Sequence, residues 1–120
     1  LKRPGSLPKR PKYGNKKVEI DGQHFDSQAE AARWIELNRL QQRGKITDLR
    51  RQVTFELVPS VRFFGSTRAT PALRYVADFS YTLAATGKPV IEDTKGVLTR
   101  VYKIKRHLMK ALFNIDILET

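Results

Sequence analysis

Cysteine is absent from the 120 residues, which excludes disulfides, thiolate zinc sites and cysteine nucleophiles together and fits a reducing compartment. No uninterrupted apolar stretch approaches the roughly 20 residues that span a bilayer, so no membrane insertion is expected. The opening Leu1–Lys17 lacks the apolar centre of a secretory signal, and a cytoplasmic location is the expectation. Acids are scarce: 12 Asp and Glu stand against 23 Lys and Arg, for a net charge of +11. A field of that sign draws a chain toward a polyanion, and nucleic acid is the commonest one. A membrane surface or an acidic protein would also satisfy the charge. What is present, 40% hydrophobic and 29% charged residues, is the composition of a folded chain with material for one core.

The first 17 residues carry seven cations (Lys2, Arg3, Lys9, Arg10, Lys12, Lys16, Lys17), three prolines and no acid. This reads as a basic N-terminal arm, disordered when free, ahead of a single domain over residues 18–120. Val18–Ile20 and Gln23–Phe25 around Asp21-Gly22 read as a hairpin with a two-residue turn. Ser27 is a good N-cap for a helix over Gln28–Arg43, with Ala31, Trp34, Leu37 and Leu40 at helical spacing and Gly44 as the stop. Gln52–Val58 alternates as a strand. Val61–Phe64 reads as a shorter strand running into a loop, and Leu73–Leu83 alternates again with Tyr75, Ala77, Phe79 and Tyr81 on one face. After a turn at Thr86–Pro89 comes a strand over Val90–Lys95, stopped by Gly96. A second helix over Thr99–Leu112 has Val101, Ile104, Leu108 and Leu112 sharing a face, and Ile115–Leu118 reads as a last short strand.

Charges inside the apolar Val90–Lys95 segment require a reason. Side chains alternate along a strand, so Asp93 and Lys95 share a face with Ile91 while Glu92 points the other way. The bland reading is a surface ion pair on an edge strand. Asp78, flanked by Ala77 and Phe79, changes the balance, because a short hairpin pairs it near Asp93. Two adjacent carboxylates repel unless a cation holds them, and oxygen ligands without Cys or a His cluster suit Mg2+ or Mn2+. Otherwise Asp78 caps a turn or pairs with Arg74. Glu30 completes a Ser27-x-x-Glu30 capping box, which alone would explain it. It also lies one turn before Trp34 on the side of the helix that faces the sheet, where an acid is costly unless used.

In this order, Glu30 on a helix, Asp78 on a strand and Asp93-Thr94-Lys95 on the next resemble the PD-(D/E)XK nuclease superfamily. Phe25–Ala31, the Gly44-Lys45-Ile46 step, Gln52, Tyr75–Phe79 and Ile91–Gly96 look like the small phage endonuclease I group of Holliday junction resolvases. The resemblance covers about Tyr13 to Leu118, and Ala77 stands where the superfamily's name has proline. It implies an α/β fold with a restriction-endonuclease-like core, αβββαβ, whose mixed sheet is flanked by helices. It also implies Asp78, Asp93, the Thr94 carbonyl and Glu30 as metal ligands, with Glu30 completing the site or holding a second ion. Lys95 would orient or help deprotonate the attacking water and offset charge on the phosphate. Strand parity favours Asp93 over Glu92. His24 and His107 are read as surface residues.

Between Lys95 and Ile115 lie Arg100, Lys103, Lys105, Arg106, His107 and Lys110 without one acid. Arg100, Lys103 and His107 follow one stripe that can track phosphates, as can Lys9, Arg10, Lys12, Lys16 and Lys17 on the arm. Part of this bias is simply a solvated helix face. No base-reading motif is visible, so DNA shape over sequence is the expected basis of recognition. Tyr102 is read as covering the core. The resulting expectation is a Mg2+- or Mn2+-dependent endonuclease for branched DNA, a phage protein acting in the host cytoplasm as a homodimer, because two symmetric cuts need two sites. A nicking or end-processing nuclease and a catalytically silent DNA-binding module are the alternatives.

Overall fold

The computed structural model describes residues 17–95 and 97–120. Lys9, Arg10, Lys12 and Lys16 of the arm, and the Gly96 stop, lie outside the described residues. The elements run β1 (Val18–Ile20), β2 (Gln23–Phe25), α1 (Gln28–Gln42), β3 (Ile46–Val58), β4 (Leu73–Leu83), β5 (Pro89–Asp93), α2 (Arg100–Phe113) and β6 (Leu118–Glu119). β1 and β2 form a hairpin, and the other four strands form one sheet in the order β3-β4-β5-β6. The first three strands of that sheet pair antiparallel and β6 pairs parallel to β5. The fold is α/β with a mixed sheet.

Local chemistry accounts for the boundaries. Asp21 and Gly22 both take positive φ, the backbone that a two-residue hairpin turn of matching twist requires. Ser27 Oγ accepts from the Glu30 amide at 3.1 Å to open α1. Thr99 Oγ1 does the same for the Tyr102 amide of α2, and Asn114 closes α2 in the left-handed conformation, satisfying carbonyls that the helix leaves bare.

Two clusters form the core. Leu37, Ile46, Phe79 and Tyr81 pack with Trp34, Leu40 and Val90. Leu57, Tyr75, Ala77, Tyr102 and Met109 pack with Phe55, Leu108 and Ile91. Neighbours on a strand point to opposite faces, and Val90 and Ile91 belong to different clusters, so α1 and α2 cover opposite faces of the sheet.

Several expectations are corrected here. The row Tyr75, Ala77, Phe79, Tyr81 does not stay on one face: its first two residues join the α2 cluster and its last two the α1 cluster. The division falls opposite Gln52, which has φ 52° between the pairs Arg51↔Phe79 and Val53↔Ala77. A left-handed residue interrupts the period-two alternation of its own strand, β3, and the β4 row changes cluster at the same level. β3 also starts earlier than expected, at Ile46, because a second left-handed residue, Asp48, lets the strand continue through a register shift between Thr47 and Arg50. Val61–Phe64 is not a strand; only Val61 bridges to Thr70. β5 ends at Asp93, two residues sooner than read, and the last strand is Leu118–Glu119, not Ile115–Leu118.

The inward face of α2 differs as well. Tyr102 and Met109 are buried, whereas Val101, Ile104 and Leu112 are half or more exposed. This helix carries apolar residues on two sides, so its periodicity does not choose between them. The sheet does: Tyr102 meets Tyr75 at 6.2 Å and Phe113 meets Phe55 at 6.0 Å between ring centroids, a larger aromatic contact than the aliphatic side offers.

Candidate active site

Neighbouring antiparallel strands bring Asp78 and Asp93 together, since the β4–β5 register pairs Phe79 with Glu92 and so sets the preceding residue of β4 beside the following residue of β5. Asp93 is buried. Its carboxylate accepts from the Tyr75 hydroxyl and lies 3.1 Å from Lys95 Nζ, which itself sits 4.3 Å above the Tyr102 ring. Asp78 Oδ2 accepts from the Thr94 amide at 2.8 Å. Burial, then the hydrogen bond and charge of Asp93, with Glu30 adding its own charge, push the Asp78 carboxyl up to about 8. Asp78 therefore keeps its proton more readily than a free carboxyl does. Burial beside Asp93 likewise holds the Tyr75 hydroxyl in its protonated, donating form.

Glu30, buried on α1, does not spend its carboxylate on the helix start. The Ser27 half of the capping box forms, but the Glu30 carboxylate reaches to β3, accepting from Gln52 Nε2 at 3.2 Å and Arg51 Nη2 at 3.4 Å. Burial raises its pKa and Arg51 offsets part of that. The left-handed Gln52 thus lies level with the division of the core and aims an amide at the third acid.

Glu92 stands one residue from Asp93 on the opposite face, as strand parity predicts. It is fully buried and saturated: Arg33 Nε and Nη2 donate to its two oxygens at 2.7 and 2.8 Å, and the Tyr81 hydroxyl donates at 2.7 Å. That carboxylate has a complete set of protein partners and is structural.

The fit to a divalent cation follows from the donor set. Among the described residues no group of three or more His, Cys, Asp or Glu forms a ready metal cage; the arrangement is a crowded carboxylate pair with Glu30 tied to β3. Mg2+ is commonly held by one or two carboxylates, with waters and substrate phosphate filling the remaining positions, and the Asp78–Asp93 pair suits that mode. Beside it an open cleft of about 320 Å3 runs between the start of α1 and the end of β5, lined by Ser27, Ala29, Arg33, Thr94 and Lys95 among others.

A family described as "Protein of unknown function (DUF1064)" matches residues 10–117. The chain belongs to this family. No curated protein and no solved structure matches the chain. The acids of this DUF1064 protein therefore have to be read from their own chemistry.

The basic residues divide. Arg100, Lys103 and His107 are exposed along α2, and Lys17 is exposed before β1. Arg106 is committed to Glu119 at 2.8 Å and Lys110 to Asp116 at 2.8 Å, while Lys105 is half-buried. His24 and His107 are both exposed and Tyr102 covers the core. None of the described helices is long and apolar enough to cross a membrane.

Sequence reasoning did not assign roles to Tyr75, Arg33 or Arg51. Arg51 lies 3.9 Å over the Phe25 ring and donates to Gln23 and His24, fastening the hairpin to the site. Arg33 carried one usable signal, its place one turn after Glu30 on the sheet side of α1. Arg51 and Tyr75 carried none, because their partners come from distant segments.

Proposed function

We propose that this protein is a metal-dependent DNA endonuclease with a restriction-endonuclease-like core of the PD-(D/E)XK kind, cutting branched DNA as a homodimer in the host cytoplasm. The observation that carries the reading is the paired carboxylates of buried Asp93 and half-buried Asp78, with the Lys95 ammonium 3.1 Å from Asp93. Two carboxylates pressed together on adjacent strands beside a cationic amine gain nothing structurally, and a binding module for polyanions would be weakened by them.

In this proposal Asp78 and Asp93 hold Mg2+ or Mn2+, with the Thr94 carbonyl beside them. Such an ion would supply charge to offset that of the scissile phosphate and would lower the pKa of the attacking water. The chain's own residues do the rest. Tyr75 donates to Asp93 and the Thr94 amide donates to Asp78, so both carboxylates are oriented before substrate arrives. Lys95 presents its ammonium to the attacking water and the phosphate, with its position fixed by Asp93 and the Tyr102 ring. Glu30, braced by Gln52 and Arg51, adds negative charge at the edge of the site where a second cation or the water would stand. Arg100 and Lys103 with the arm's Lys9, Arg10, Lys12, Lys16 and Lys17 supply phosphate contacts; such contacts track backbone and shape, not sequence. The exposed apolar row Val101, Ile104 and Leu112 supports pairing with a second copy.

Cleavage of a labelled four-way junction, beside linear duplex, single-strand and flap substrates, tests the reading with Mg2+, Mn2+ or chelator. Paired symmetric nicks in the junction, lost with chelator, are expected. Equal cutting of every substrate would leave a general DNA-processing nuclease, and tight binding without cutting under either metal would overturn the enzyme reading.

A further inference from the structure

The β3–β4 connection is a second place where the chain spends structure on an exposed feature. Val61 and Thr70 bridge through two backbone hydrogen bonds, at 3.0 and 2.6 Å. Between them the Ser66 amide donates to the Phe63 carbonyl at 3.0 Å, and Gly65 takes φ 79°, which makes Phe63–Ser66 a turn that needs glycine at its third position. Arg62 Nη1 donates to the Thr67 carbonyl at 2.7 Å, and Ser66 Oγ donates to the Arg68 carbonyl at 2.8 Å. The loop is thus braced from within, although nothing packs on its tip. At that tip Phe64 is fully exposed and Phe63 is 64% exposed.

A braced loop that holds two phenyl rings in water stabilises nothing in the chain itself, so its use lies in a contact. The surroundings select the partner. Beside the rings stand Arg62 and Arg68, with no acid between Leu57 and Ala77; Arg74, farther along, pairs with Glu56 at 3.9 Å. Next to the rings in the chain stand Arg62, Gly65, Ser66, Thr67 and Arg68, a more polar and cationic frame than the core of a protein–protein interface; Val61 and, at the start of β4, Leu73 are the half-exposed apolar residues of the same connection. Two aromatic faces in a cationic, otherwise polar setting match nucleobases, each of which offers a π-face beside an anionic backbone.

We propose that the Phe63-Phe64 tip is a base-stacking wedge that engages unpaired bases of branched or single-stranded DNA. The proposal deepens the DNA-processing reading and rests on it for the partner. It also has a dimension: β4 begins at Leu73, and the five residues from there to Asp78 span about 17 Å along a strand. The stacked bases are accordingly displaced from the scissile phosphate instead of lying at it.

The test uses the full chain and fluorescence anisotropy in chelator with three probes: a four-way junction, a duplex with a single-stranded overhang, and a blunt duplex. Phe63→Ala/Phe64→Ala is expected to weaken junction and overhang binding about 10-fold or more, the alanine cost of a stacked base, with less than about 2-fold change on blunt duplex. Its melting temperature should stay close to the wild-type value, because neither ring joins a core cluster. Phe64→Trp should keep wild-type affinity and show emission quenched by the junction and overhang but not by the blunt duplex, with the wild-type protein as control for Trp34.

Unchanged affinity for all three probes, or an equal loss on all three, overturns the wedge. So does a drop in self-association of the double-alanine variant by light scattering with DNA binding unaltered, which would make the tip a contact between copies. Wild-type cleavage measured in parallel separates the two ideas. A protein that cuts no DNA yet shows the selective loss fails as a nuclease while keeping its wedge; one that cuts but ignores the substitutions keeps its activity and loses the wedge.

Discussion

Glu92 and Asp93 are neighbours on one strand, both buried, and they have opposite surroundings. Glu92 meets a bidentate arginine and a tyrosine hydroxyl, so its charge is matched within the protein. Asp93 meets one tyrosine and one lysine and is pressed against a second carboxylate, Asp78, which is driven to hold its proton. A buried charge supplied with its full set of partners stabilises a fold only if none is removed. A buried carboxylate crowded by another is underprovided with positive charge, and a cation with its own ligands to share is the natural completion. The two faces of β5 thus separate a structural ion pair from a candidate reactive centre.

The sharpest way to break this comparison is to remove each charge while keeping its shape. Asp78→Asn and Asp93→Asn should each lower metal-dependent cleavage by more than about 100-fold, beyond the usual cost of disturbing a residue that only supports a ligand. Folding should survive, and without metal Asp78→Asn should keep the stability that the wild type loses as its Asp78 proton leaves. A variant that cuts at wild-type rate would remove these residues from the site. Glu92→Ala should do the reverse: it strands Arg33 in a mostly buried position and should cost about 3 kcal/mol of stability, read by denaturant or thermal unfolding. If Glu92→Ala melted like wild type, the pair would not be structural.

Tyr75→Phe sharpens the contrast from the Asp93 side. It removes the hydroxyl that orients the carboxylate and leaves the ring in its cluster, so cleavage or Mg2+ affinity should fall by about 10-fold, with little change in melting temperature. The smallest effect is in pH. Asp78 moves from 3.8 up to about 8 in the folded chain, so the folded state binds its proton more tightly than the unfolded state does. The resulting stability is full below about pH 4 and is lost as pH rises toward about 8. The melting temperature of metal-free protein should fall across that window, less steeply with Mg2+, and flatten in Asp78→Asn. A drop of equal slope in Asp78→Asn would assign it to other groups.

Much of the arrangement could be read in one dimension. Ser27 and Thr99 announce their helices, Asp21-Gly22 announces its hairpin, and the alternation along β5 separates Glu92 from Asp93 before any contact is known. The fate of Glu30 was only half legible: its spacing from Ser27 names a capping box, yet the amide and the carboxylate of that residue serve different partners, and the carboxylate goes to Gln52 and Arg51 on β3. The exposed row of α2 was illegible, because Val101, Ile104 and Leu112 are as periodic as Tyr102 and Met109.

The sequence by itself determined where helices and strands begin, which acids lie inside apolar segments, and which neighbours on a strand face apart, because caps, turns and alternation are properties of a few consecutive residues. Only the tertiary structure decided that Arg33 neutralises Glu92 from 59 positions away, that the β4 row is split between two clusters, and that α2 turns its aromatic side inward. Those outcomes depend on which distant surfaces meet. Two apolar sides of one helix, or two carboxylates of one strand, become different only when something packs against them.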